Sequence, residues 1–193
     1  MLSNLSKYKI VLASGSPRRK ELLAGLGLEF SVFCLKDIDE SYPADLNAAD
    51  VAGYISGKKA DAYRQIIHDN ELFITADTVV VSGNRILGKP TDRQNAIEML
   101  QALSGKEHQV ITGVTLVSAE RRASFSVTTD VRFCTLTDEE IEYYVDNYRP
   151  FDKAGAYGIQ EWIGYIGVES ISGSYFNVMG LPVQRLYREL KKW

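Results

Sequence analysis

Lys9-Ile10-Val11-Leu12-Ala13-Ser14-Gly15-Ser16-Pro17-Arg18-Arg19 is the stretch from which the fold is read. Its first four residues are a short apolar run with the character of a strand. Downstream, Leu22, Leu23 and Leu26 fall on one helical stripe. Pro17 suits the first helical position, where a missing N–H costs nothing, which makes Ser16 the natural N-cap. The chain therefore aims a helix N-terminus at whatever sits above the strand end. Free amide donors and the helix dipole favour phosphate there, and the Ser14 and Ser16 hydroxyls with the Arg18 and Arg19 guanidinium groups complete a cradle. Read locally, the same residues also describe a capped surface helix with two solvated arginines.

The rest of the chain bounds what that turn can serve. With 193 residues, 45% hydrophobic and 24% charged, it is long enough for one substantial core, as one domain or one domain with two lobes. A net charge of -3 gives no overall attraction to nucleic acid or to an anionic membrane, so any basic site is local. Cys34 and Cys134 sit in apolar runs without metal-ligand spacing and read as two buried free thiols. No segment reaches the roughly 20 apolar residues of a membrane span, and no leader of signal-peptide length is present, so a cytoplasmic location is expected.

Along the chain, residues 30–35 read as a second strand, followed by an acidic connection containing Asp39 and Glu40. A long helix is expected over residues 47–67, weakened by Gly53 and Gly57, with Lys58 and Lys59 near its middle. Leu72 to Val81 has the length and β-branched enrichment of a buried central strand, yet Asp77 interrupts it. A carboxylate there is costly unless it has a partner, a metal ion or a protonation-linked role. Gly83 to Lys89 matches the start of a P-loop, but Pro90 stands where that motif needs Ser or Thr for Mg²⁺. A Walker-type site is rejected, and Lys89 is kept as a phosphate contact at a hairpin end.

Thr91-Asp92-Arg93-Gln94 has capping-box spacing ahead of an amphipathic helix closed by Ser104-Gly105. Residues 108–117 and 125–136 suggest a long hairpin, and Thr137 to Glu140 is a second capping box. The last third is dense in glycine and tyrosine, which marks tight turns and close backbone approach. There Gln160 offers a donor and an acceptor to a base edge. A final helix begins near Pro182.

Taken in order, Leu12-Ala13-Ser14-Gly15-Ser16-Pro17-Arg18-Arg19, Asp39-Glu40, Lys59-Ala60, Ala76-Asp77-Thr78-Val79, Gly88-Lys89-Pro90, Gly158-Ile159-Gln160 and Gly173 to Pro182 resemble the Maf family of nucleoside triphosphate pyrophosphatases, in particular its dTTP/UTP-cleaving branch. The resemblance implies a single domain over residues 1–193: an α/β fold with an elongated mixed sheet flanked by helices and two lobes around a nucleotide cleft. It implies hydrolysis of a nucleoside triphosphate to the monophosphate and pyrophosphate with a divalent cation, Mg²⁺ or Mn²⁺. Asp77 corresponds to the proton acceptor. Ser14, Ser16, Arg18, Arg19, Lys59 and Lys89 correspond to substrate contacts, and Glu40 with Asp77 to the metal carboxylates. Arg18, Thr78 and Gln160 are the positions tied to base choice. A homodimer is implied as well. The alternatives are a different nucleotide, such as 7-methyl-GTP or a modified pyrimidine nucleotide, and a non-catalytic nucleotide sensor regulating division.

Overall fold

In the computed structural model, which describes residues 2–193, β1 (Lys9–Leu12) is the strand on which both flanking crossovers turn. The chain leaves it through α1 (Pro17–Ala24) to β2 (Phe30–Val32), then through α2 (Ala48–Arg64) to β3 (Glu71–Ser82). β2 and β3 both run parallel to β1, on opposite sides of it. The remaining elements are β4 (Arg85–Leu87), α3 (Arg93–Leu103), β5 (Glu107–Val117), β6 (Arg122–Phe133), α4 (Asp138–Tyr148), α5 (Trp162–Gly167), β7 (Val168–Ser172), α6 (Tyr175–Met179) and α7 (Val183–Leu190). The seven strands form one mixed sheet in the order β2-β1-β3-β5-β6-β7, with β4 antiparallel on β3 and β7 antiparallel on β6. The fold is therefore a mixed α/β sheet flanked by helices, as expected. No helix of the described residues is long and apolar enough to cross a membrane.

The chain divides into two compact units. The first holds the residues up to Asp77, Thr112–Val127 and Gly180–Trp193; the second holds Thr78–Ile111 and Thr128–Met179. In the first, Val11, Ala13, Ala60, Tyr63, Phe73 and Val117 form a buried cluster that seats α2 on the strands. Two devices fix the register of that helix. The Thr75 hydroxyl donates to the Ser56 carbonyl at 2.7 Å, beside a buried contact between the Ser56 and Thr115 hydroxyls that continues outward to the exposed Ser124. Gly113 lets the backbones meet, since a Cβ there would lie 2.4 Å from the Ala52 carbonyl and the Gly53 amide nitrogen.

The second unit is built around Leu100, Leu103, Val131, Phe133, Ile141, Tyr144 and Ile163. His108 lies within it, 2% exposed, its Nε2 2.8 Å from the Tyr157 hydroxyl and its ring edge-on to Phe133.

Several sequence expectations need correction. The second strand stops at Val32 rather than at residue 35. Cys34 is exposed and Cys134 half-buried, so neither is the buried thiol expected from its apolar neighbours. The cap of α3 is Asp92, which accepts from the Asn95 amide, one residue later than the capping-box spacing suggested. The Thr137–Glu140 box is present in both directions. The expected hairpin is present, but its second strand is Arg122–Phe133, three residues earlier at each end than residues 125–136, and the last helix starts at Val183 as expected.

Two outcomes follow from these contacts. Gly113→Ala is expected to cost roughly 2–4 kcal/mol in urea unfolding, because backbone has no rotamer with which to yield. Burial lowers the His108 pKa from 6.5 to about 4, so between those values the unfolded chain binds the proton that the folded one refuses. Stability is thus intact above about pH 6.5 and falls as pH drops through 4. On going from pH 7 to 4.5, unfolding measurements on the parent are expected to lose about 2 kcal/mol more than those on His108→Asn.

Candidate active site

Ligands in open α/β sheets bind beyond the carboxyl ends of parallel strands, where successive crossovers part to opposite sides. Here that point is the end of β1. The chain leaves Leu12, adds one more ladder bond from the Ala13 amide to the Ile74 carbonyl, and enters the turn at Ser14. Ser16 caps α1, its hydroxyl accepting from the Arg19 amide at 3.4 Å, with Pro17 as the first helical residue. The Ser14 hydroxyl accepts from the Ser16 amide and from Arg19 Nη1, both at 3.3 Å. Each hydroxyl keeps its own proton to donate.

Arg19 braces this turn against the rest of the unit. Its Nη1 donates to the Ala76 carbonyl at 2.9 Å and its Nε to the Gly180 carbonyl at 2.8 Å. Burial pulls its pKa below 12.5, opposed by the nearby charges of Asp77 and Glu40 and reinforced by Arg18.

β3 runs on past its pairing with β1 and carries Asp77 beyond the last ladder residue, Ile74. The Lys59 ammonium lies 2.8 Å from Asp77 Oδ1 and 2.9 Å from Glu40 Oε1. One nitrogen thus bridges two carboxylates whose oxygens are less than twice a hydrogen-bond length apart. Lys59 and Asp77 are 13% and 14% exposed, which strengthens their attraction relative to a surface pair, while Glu40 is open to solvent at 49%. Glu40 is held in turn by its neighbour: Lys58 Nζ pairs with Asp39 at 2.6 Å, and Asp39 also accepts from the Ser41 amide and hydroxyl. These contacts keep the Asp39 carboxyl well below the usual range, with the Lys58 bond the largest cause. Sequence reading had both halves of this double rung, Asp39-Glu40 and Lys58-Lys59, but nothing local paired them.

Ser14, Ser16, Arg18, Arg19, Glu40, Lys59 and Asp77 all belong to the first unit. Arg18, Arg19 and Lys59 against Glu40 and Asp77 leave one excess positive charge in a chain of net -3. That local excess suits an anion that brings its own counter-ion. Asp77 pairs with a lysine and keeps 14% of its side chain exposed.

Thr78, Lys89 and Gln160 belong to the second unit. Thr78 is half-buried on β3 and Lys89 is exposed just after β4, where the Gly88 carbonyl accepts from the Gly155 amide at 3.0 Å. Gln160 lies in a turn closed by the Glu161 amide donating to the Gly158 carbonyl at 2.9 Å. A separate surface cavity of about 540 Å³, lined by Thr137, Glu139, Glu140, Tyr143 and Trp162, contains none of the expected site residues.

Among the described residues no cluster of three or more His, Cys, Asp or Glu could hold a metal ion. The protein offers instead two hard oxygen donors already spaced around one cationic nitrogen, and such a pair fits a divalent cation that completes its shell with phosphate oxygens and water.

Residues 9–193 match the family model described as Maf-like protein. A Bacteroides thetaiotaomicron protein named dTTP/UTP pyrophosphatase is 62% identical over 192 residues, covering 100% of both chains. Proteins of the same name from Porphyromonas gingivalis and Flavobacterium johnsoniae are 55% and 44% identical, over 99% and 96% of this chain and 97% and 95% of their own. In fold, a HAM1 protein from Coxiella burnetii superposes with TM-score 0.50 at 13% identity, over 96% of this chain and 100% of that one.

The shared ion pair makes a prediction that does not depend on activity. Lys59→Met leaves two carboxylates without their common cation and is expected to cost about 2 kcal/mol in unfolding at pH 8. Adding Asp77→Asn should recover at least half of that loss, and a single variant as stable as the parent would show that the pair contributes nothing.

Proposed function

This chain belongs to the Maf-like protein family, and we propose that it is a nucleotide pyrophosphatase cleaving dTTP and UTP to the monophosphate and pyrophosphate. The observation that carries the reading is Asp77: a carboxylate on the central strand β3, just past its parallel ladder with β1, sharing the Lys59 ammonium with Glu40 beside the Ser14–Arg19 turn. Relatives that bear the pyrophosphatase name over nearly their whole length support the substrate.

In this reading the triphosphate is taken by the α1 N-terminus, the Ser14 and Ser16 hydroxyls, and the charges of Arg18, Arg19, Lys59 and Lys89. A water attacks the α-phosphorus in line with the leaving pyrophosphate, which departs with the electron pair of the broken P–O bond. Asp77 accepts the proton that the water gives up. Fixed positive charge neutralises the phosphate oxygens as this happens, a contribution of the kind that usually dominates such reactions. Glu40 and Asp77 would hold a divalent cation, Mg²⁺ or Mn²⁺, which supplies Lewis-acid neutralisation of the phosphates when bound. Lys59 meets the need of the two carboxylates for a cation in the free protein and has phosphate oxygens as new partners when nucleotide arrives.

Arg18, Thr78 and Gln160 select the base. The same reading makes residues 1–193 one functional domain, cytoplasmic and homodimeric, acting on free nucleotide rather than on nucleic acid.

Asp77→Asn keeps the side-chain size and removes the base. Turnover of dTTP and UTP, followed by pyrophosphate release, is expected to fall by roughly 10²-fold or more while nucleotide binding persists. Full activity in this variant, or a wild type that yields diphosphate and orthophosphate instead, overturns the assignment.

A further inference from the structure

One tyrosine hydroxyl in the second unit holds both ends of the turn that carries Gln160. Tyr144 Oη accepts from the Gly158 amide at 3.0 Å and donates to the Glu161 carboxylate. Gly158 and Glu161 are the first and last residues of the turn, closed by the bond between the Glu161 amide and the Gly158 carbonyl. Behind Glu161, the buried Lys153 ammonium lies 3.1 Å from its other carboxylate oxygen. The glycine is part of the device: a Cβ on Gly158 would sit 2.9 Å from Gln160 Nε2 and 2.9 Å from the Glu161 carboxyl carbon. The Gln160 amide therefore lies over a bare Cα, inside a turn whose first and last residues are fixed.

A second observation points from this turn to a ligand. Gln160 Oε1 is buried and accepts no hydrogen bond among the described residues. An acceptor in that condition is completed by a donor, which a nucleobase supplies as an N–H group. Uracil and thymine present one at ring N3, whereas N3 of cytosine is itself an acceptor. A primary amide that is free to rotate through 180° serves either base, because it exposes oxygen one way and N–H groups the other. Discrimination then requires that the amide be prevented from turning over.

We infer that Tyr144, backed by Glu161 and Lys153, is a positioning residue that locks the Gln160 amide with its oxygen toward the ligand and so makes the site prefer an imide base over cytosine. The inference rests on the proposed pyrophosphatase activity and adds what sets its base preference. Tyr144 itself touches no reacting atom, and its loss should act on discrimination more than on chemistry.

The test compares kcat and KM for dTTP and dCTP in the wild type and in Tyr144→Phe, Glu161→Ala and Glu161→Gln, with the fold of each checked by circular dichroism. Tyr144→Phe keeps the ring, which stacks on Tyr148 at 5.1 Å, and removes only the hydroxyl. In it and in Glu161→Ala the preference for dTTP over dCTP in kcat/KM is expected to fall about tenfold, mostly through KM, with kcat on dTTP changed less than about threefold. Glu161→Gln keeps an oxygen for the tyrosine and should recover most of the preference. An unchanged preference in folded Tyr144→Phe, or an equal loss on both nucleotides, overturns the inference; should that variant not fold, the Glu161→Ala and Glu161→Gln pair decides by the same criterion. A wild type that releases pyrophosphate from neither dTTP nor UTP overturns the activity itself, which is a different result from a discriminating enzyme indifferent to Tyr144.

Discussion

The ammonium of Lys59 between Glu40 and Asp77 is the interaction on which the site depends. A carboxylate in the body of a buried strand is unfavourable unless a cation is held against it, and two carboxylates this close repel unless they share one. Lys59 can be that cation only if α2 lies on the strands in one register. The Thr75 bond to the Ser56 carbonyl and the backbone approach at Gly113 set this register, three residues before Lys59 and two before Asp77 in their respective elements. Glu40, on an irregular segment, is brought in by the neighbouring Lys58–Asp39 pair. The geometry of the charged cluster is thus a consequence of how one helix seats on one sheet.

The charge balance follows the same logic on the other side of the cluster. Arg19 directs donors at the Ala76 and Gly180 carbonyls and at Ser14, so it joins the turn, β3 and the start of the C-terminal segment. A lysine could not do this, since only the planar guanidinium presents several donors in a fixed fork. The arginine is a brace as well as a positive charge, and the excess of one cation in an acidic protein arises because framework and anion site use the same group.

What could be read from the sequence divides along the range of the forces involved. The Ser16 cap, Pro17, the Thr137–Glu140 box and the buried strand through Asp77 depend on neighbours a few residues away, and all were legible. The strand beyond Val32 was not, because apolar character at Phe33 and Cys34 does not show that the chain has left the sheet. Asp92 in place of Thr91 as the cap of α3 is a choice between adjacent residues of similar chemistry. The Lys58–Asp39 and Lys59–Glu40 rungs, the His108–Tyr157 pair and the Tyr144 clamp join residues 14 to 49 positions apart. Charge and polarity are visible in a sequence, but the partner across such a distance is not.

Places where a chain breaks local rules separate into those the fold explains and those it does not. Gly53 and Gly57 weaken α2, and a Cβ at either would meet the Ser126 hydroxyl or the Arg122 guanidinium within 2.9 Å, so the close seating of side chains from β6 favours them. Asp77 is different. Its pairing with Lys59 explains how the carboxylate is tolerated, not why it is there, because an apolar pair of similar volume is often as stable or more so. Gln160 is the same kind of case, since a buried acceptor without a donor lowers stability and an apolar side chain in its place would not. Asp77 and Gln160, like the unpaired Nδ1 of His108, are residues that stability alone gives no reason to keep, and the substrate reading assigns Asp77 the proton and Gln160 the base edge. That coincidence is independent of the motif order, because it follows from what each side chain costs where it stands.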